Sequence, residues 1–288
     1  MGFKLLPIFT FLSLALVAIA SHAVLAPEAY WKKVLPNTPM PKAVTELLHN
    51  EWTEEKSTNI GVSKAVSLHE NQGVAIYFLE KDMSPGTKMN LQFRRHETEV
   101  GFLPRPITKS IIPFSSDKLP EILNRFSVQP ESEEAEIIKK TIKRCEDPAF
   151  KGEDKYCATS LESMVDHSTS RLGKSVEAIS TEVDRQSQLQ QYTITGVVKK
   201  TAGDKAVVCH KQDYPYAVFY CHTTQTTKAY KVSLVGADGT KADAVAVCHT
   251  DTSEWNPKHL AFQLLKVKPG TVPICHFLPE DHVVWVPK

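Results

Sequence analysis

Hydrophobic and polar positions along the chain follow two different periods. From about residue 191 onward, short runs rich in Val, Tyr, Phe and Thr recur, divided by Gly203-Asp204, Asp213-Tyr214-Pro215, Ala237-Asp238-Gly239 and Lys268-Pro269-Gly270. Strand, turn and strand at this spacing predict an antiparallel sheet or barrel. The middle of the chain has helical spacing instead. Pro120 to Phe126 predicts a short helix with proline in its first turn. Ser132 is placed to cap a second helix, where Ile138, Ile142 and Cys145 share a face at spacings of four and three. Thr159 or Ser160 can cap a third, with a stripe of Leu161, Met164, Val165, Ser168 and Leu172 and a stop at Gly173.

The earlier part is more broken. Residues 24–66 read as a leader segment, interrupted by Pro27, Pro36, Pro39 and Pro41, with Tyr30 and Trp31 between them. Lys42 to Asn50 predicts a short helix, and nothing there suggests an independent core; Tyr30 and Trp31 are expected to pack against the domain. Gly73 to Leu79 reads as a strand ended by Ser84-Pro85-Gly86. The folded domain is therefore expected over 67–288, and the fold class is α+β, helices first and strands last.

Residues 1–23 change the expected compartment. Lys4 precedes an apolar run from Leu5 to Ala20, followed by the small residues Ser21-His22-Ala23. That order reads as a secretory signal peptide cut near Ala20 or Ala23. A membrane anchor is the competing reading, but the run contains Pro7 and falls short of the ~20 residues that span a bilayer. Elsewhere, 34 Lys and Arg face 33 Asp and Glu, so charge gives no reason to expect nucleic acid or an anionic membrane as partner. Secretion makes the six cysteines candidates for three disulfides, although the sequence does not choose among the pairings. A Cys145–Cys157 bridge would close a small loop between two predicted helices, worth ~3 kcal/mol.

The chemistry lies in four dipeptides: Cys209-His210, Cys221-His222, Cys248-His249 and Cys275-His276, separated by 10, 25 and 25 residues. Each follows a predicted strand, and the flanks Ala206-Val207-Val208, Val218-Phe219-Tyr220 and Val245-Ala246-Val247 resemble one another. Successive side chains of a strand point to opposite faces. Extended Cys-His pairs thus divide into four cysteines on one face and four histidines on the other. In an oxidising compartment the cysteines can close into two disulfides, leaving four imidazoles without a competing thiolate. Imidazole suits zinc, copper, iron and nickel. A zinc ribbon is disfavoured because no Cys-x2-Cys unit occurs, and Asp166-His167-Ser168 cannot converge as a hydrolase triad on one helix.

This spacing resembles the signature of the plant BURP-domain family. Tyr156 to Met164 resembles that family's helical section, Val283-Val284-Trp285-Val286-Pro287 its closing strand, and Pro113-Phe114-Ser115-Ser116 its dehydration-responsive subfamily. The resemblance implies copper on His210, His222, His249 and His276, with the paired cysteines as staples. It also implies two kinds of function. Some members are copper-dependent peptide cyclases that use dioxygen to cross-link a Tyr or Trp within their own chain. Others are secreted seed, cell-wall or stress-associated proteins, expected in the apoplast, cell wall or a seed storage compartment, with a wall polymer or a peptide as partner. The stretch Gln92 to Ile107, where related cyclases can carry their substrate, holds no Trp or Tyr here.

Overall fold

The computed structural model describes residues 26–49, 77–94, 101–110, 113–186, 188–196, 199–201, 205–224 and 226–288. The signal-peptide reading and much of the predicted strand at 73–79 lie outside them. The described helices are α1 (Pro27–Val34), α2 (Lys42–His49), α3 (Arg105–Ser110), α4 (Leu119–Arg125), α5 (Glu133–Glu146), α6 (Leu161–Leu172) and α7 (Leu260–Leu265). Their ends follow the expected chemistry. Ser132 accepts from the Ala135 amide, Ser160 from the Ser163 amide, and Gly173 closes α6 at φ 81°.

The strands form two antiparallel sheets. One joins β3 (Glu153–Ala158), β9 (Phe219–Thr224), β8 (Val207–Lys211), β13 (Val283–Pro287) and β4 (Val176–Ile179), in that order. The other runs through β1 (Phe78–Leu79), β12 (Ile274–Phe277), β11 (Lys241–His249), β10 (Thr227–Gly236), β6 (Gln190–Ile194) and β2 (Lys88–Leu91). Two short strands, β5 (Glu182–Val183) and β7 (Lys199–Lys200), pair with β11 and β10.

Period-two burial sets the layers. Val208, Val245, Val247, Val284 and Val286 form the apolar seam between the two sheets, joined by Ile179 and Ala229. Their strand neighbours Val207, Cys209, Phe219, Cys221, Val283 and Trp285 face the other way, into a core closed by Leu161, Met164 and Val165 of α6. Trp31, Val44 and Leu47 of α1 and α2 enter this same core, although the prolines around them read as a leader. Trp31 lies 5.2 Å from Trp285, ring to ring, and its Nε1 donates to the Thr38 carbonyl. On the far side, Cys248, Cys275, Ala246, Val232 and Tyr192 fill a separate core with Phe78 and Phe93.

All six cysteines are paired: Cys145–Cys157, Cys209–Cys221 and Cys248–Cys275. The first differs from expectation in its setting. Cys157 sits on β3, which the helical reading of the middle missed, so the bridge ties α5 to a sheet rather than to the next helix. Strand β3 reads Glu-Asp-Lys-Tyr-Cys-Ala, which lacks the apolar alternation that marks a strand in sequence.

Candidate metal centre

The two Cys-His pairs within each sheet are related by strand register. In one sheet Cys209 stands directly opposite Cys221, and in the other Cys248 stands opposite Cys275. Each disulfide therefore crosses between neighbouring strands. The next residue on each strand points through to the opposite face, so His210 and His222 become diagonal neighbours, as do His249 and His276. Those faces carry the valine seam between the sheets, and the four imidazoles gather at one end of it. Ring centroids are 5.2 Å apart for His210–His222, 6.3 Å for His222–His249, 5.6 Å for His249–His276 and 6.3 Å for His276–His210. The pattern of four dipeptides thus becomes a closed ring of four side chains, two from each sheet.

Around this ring stand residues that the dipeptide pattern did not reveal. His282, in the loop before β13, meets His210 at 3.0 Å through the Nδ1 atoms of both rings. His210 and His222 meet at 3.1 Å through their Nε2 atoms. Glu153 of β3 lies 3.1 Å from Nδ1 of His222, and the same carboxylate oxygen accepts from Tyr220 at 2.9 Å. On the other side, Trp255 is 5.1 Å from His249 and 4.8 Å from His259, while Tyr77 is 5.6 Å from His259 and 6.1 Å from His276. Two numbers could have hinted at His282 and Glu153: His282 stands six residues beyond the last dipeptide, and Glu153 is two residues before Lys155, the register partner of His222.

Burial governs the charge state. It drives His210 well below the ordinary imidazole range, and the neighbouring rings of His282, His222, His276 and His249 push the same way by like-charge repulsion. His249 is lowered for the same reasons, and burial takes His276 to about 4. These rings are neutral at physiological pH, the form that ligates metals. Burial works to raise Glu153, but the close approach of His222 and hydrogen bonds from the Phe150 amide and Tyr220 outweigh it and hold the carboxyl below its usual range.

The donor set fits a transition ion by type: four adjacent imidazoles, three of them held neutral by burial, and every thiol closed in a disulfide. Two nitrogens bound to one ion at ~2.0–2.1 Å stand roughly 3 Å apart, as do Nε2 of His210 and His222. Among the described residues, no three His, Cys, Asp or Glu side chains already converge on a single ion position. The four imidazoles are gathered, but their rings stack against one another rather than around a common point. An open groove of about 510 Å³ lined by Leu119, Leu123, Val128 and Ala135 shares no residue with the ring.

Fold and centre together define a disulfide-stapled α+β protein built around shared histidines. Comparison with known proteins gives that class its family. A BURP-domain family model matches residues 76–287. BURP domain protein RD22 of Arabidopsis thaliana is 40% identical over 380 residues, covering 95% of this chain and 96% of the relative. That alignment is longer than the chain itself, so the relative carries inserted residues. BURP domain-containing protein 3 of Oryza sativa subsp. japonica is 56% identical over 223 residues, covering 76% of this chain but 52% of that protein. BURP domain-containing protein 5 of the same plant is 44% identical, covering 92% of this chain and 88% of the relative. The chain belongs to the BURP-domain family, and the RD22 match agrees with the subfamily that its sequence resembles.

Proposed function

We propose that this is a secreted plant BURP-domain protein with a copper site on His210, His222, His249 and His276, acting in seed, cell-wall or dehydration-stress biology. The observation that carries the reading is the gathering of those four imidazoles by two cross-strand disulfides, one in each sheet. Complete pairing of the cysteines supports an oxidising compartment, with the apoplast, wall or a seed storage compartment as destination. The likeness to RD22 supports the link to dehydration stress. When bound, copper would supply a redox-active Lewis acid; the chain's own contribution is to hold neutral imidazoles in a buried place and to keep thiolates away from it. His222→Ala is expected to lower copper content, measured by elemental mass spectrometry, while secretion stays largely intact. Unchanged copper in that variant removes His222 from the ligand set.

A second reading, a copper-dependent oxidative peptide cyclase acting on its own chain or in trans, is favoured by one observation. Tyr77 and Trp255 stand beside the imidazole ring, although Gln92 to Ile107 lacks a Tyr or Trp. An oxidative cross-link removes two hydrogens from the joined side chains and passes two electrons to dioxygen. Peptide mapping of copper-loaded, air-exposed, fully reduced and alkylated protein tests this. A two-hydrogen mass loss on a peptide containing Tyr77 or Trp255, absent from a metal-free control, supports self-cyclisation. Recovery of every peptide unmodified leaves the binding role and action in trans.

A further inference from the structure

We propose that the Cys145–Cys157 disulfide is a thiol-exchange site, opened and closed by low-molecular-weight thiols while the other two bridges stay shut. This inference is independent of the metal reading. It begins from where the six cysteines sit. Cys209, Cys221, Cys248 and Cys275 are all 0% exposed, and each of their bridges lies inside an apolar core. Cys145 and Cys157 are both partly exposed. Exchange requires a thiolate to reach a sulfur of the bridge, so access selects this pair.

Opening the bridge leaves both of its anchors in place. Helix α5 is held by Ile138 and Ile142, which share a core with Tyr214 and Tyr216, and by Thr141, whose hydroxyl donates to the Asp213 carbonyl at 2.9 Å. Strand β3 keeps its full register with β9 from Glu153 to Ala158. The Tyr156–His167 stack and the two-pronged Arg171–Asp154 pair fasten it to α6. What the bridge pins is the turn between α5 and β3, whose Phe150 is 76% exposed and whose Lys151 reaches Glu254 at 3.0 Å. A bridge between two independently held elements can open without unfolding either one.

Charge sets the direction of attack. Cys145 lies in the last turn of α5, where the helix carbonyls disfavour a thiolate. Cys157 shares a strand face with Lys155, whose ammonium donates to the carbonyl of Arg144, the residue before Cys145, at 2.7 Å. An incoming thiolate therefore attacks Sγ of Cys145, and Cys157 departs as a thiolate beside that cation. A second small thiol attacks the mixed disulfide, leaves as the oxidised dimer of the small thiol and returns Cys145 as a thiolate. The two protein thiolates take up the two protons that the small thiols gave up. Two electrons pass from the small thiols to the bridge.

The test uses the full chain with all three bridges formed, titrated at neutral pH with rising ratios of reduced to oxidised glutathione. Samples are quenched in acid, alkylated and peptide-mapped. Cys145 and Cys157 are expected to open at a ratio at least about tenfold lower than any other cysteine. The far-UV circular dichroism should stay unchanged, and oxidised glutathione should restore the bridge. Mixed disulfide trapped in early samples should sit on Cys145, and Lys155→Gln should slow the opening several-fold. Simultaneous opening of all three bridges, or earlier opening of Cys209–Cys221 or Cys248–Cys275, overturns the proposal. Loss of the circular dichroism as Cys145–Cys157 opens also overturns it, because the bridge would then be a structural staple. Glutathione trapped on Cys157 instead overturns the direction of attack.

Discussion

Individual side chains show where the sequence speaks and where it stays silent. The four histidines were legible because a repeated dipeptide on strands has only two faces to occupy. Glu153, His282 and Tyr220 were not, because their role comes from register across strands far apart in the chain. His167 is a second example. On α6 it reads as part of an unusable Asp-His-Ser run, yet its ring is buried and stacked on Tyr156 at 4.9 Å. Burial lowers it to about 4 from 6.5, helped by Arg171 and opposed by Asp154. The unfolded chain therefore takes up the proton first as pH falls. Stability from keeping this ring neutral is complete above about pH 6.5 and is lost progressively from there down to about pH 4. His167→Phe, which keeps the stack, should flatten the pH dependence of urea unfolding across that window. An unchanged slope would show that His167 is not the titrating group.

At the scale of elements, the turns and caps were readable and the polar strand was not. Ser132, Ser160 and Gly173 act where their chemistry predicts, and Gly239 turns the β10–β11 hairpin at φ 85°. A side chain there is strained, so Gly239→Ala should cost about 1 kcal/mol in chemical denaturation. The disulfides divide by task rather than by energy. Cys145–Cys157 and Cys209–Cys221 both span a sequence separation of 12, so removing either should cost a similar ~3 kcal/mol. Only the second carries His210 and His222 on its strands. Replacing Cys209 and Cys221 together with alanine should therefore reduce copper content as well as stability, whereas replacing Cys145 and Cys157 should reduce stability alone. Equal copper loss in both variants would deny the Cys209–Cys221 bridge a special part in gathering the imidazoles.

The whole molecule is three layers deep: helices, a five-stranded sheet, and a second sheet whose seam with the first ends in the imidazole ring. The α+β class and the strand-rich C-terminal half followed from periodicity. The helix from Lys42 and the packing of Trp31 against the domain were also expected; the depth of that packing was not, since four prolines suppress any amphipathic pattern while Trp31, Leu35, Val44 and Leu47 are almost fully buried. The family match starts at residue 76, yet these earlier residues cover Trp285 of the closing strand. Trp31→Ala should destabilise the chain by about 3–5 kcal/mol, read by urea unfolding followed through tryptophan fluorescence. A loss below about 1 kcal/mol would mean that this segment is an accessory cover rather than part of the core.

The most direct test of the copper proposal is X-ray absorption at the copper edge of the full chain, purified from its secreting source and loaded to one equivalent. The expected spectrum has a first shell of nitrogen only, with the outer scattering of several imidazoles, and it loses imidazoles in His222→Ala. Sulfur in the first shell, or a shell of water and carboxylate oxygen indifferent to that substitution, would contradict a copper site on the four Cys-His histidines.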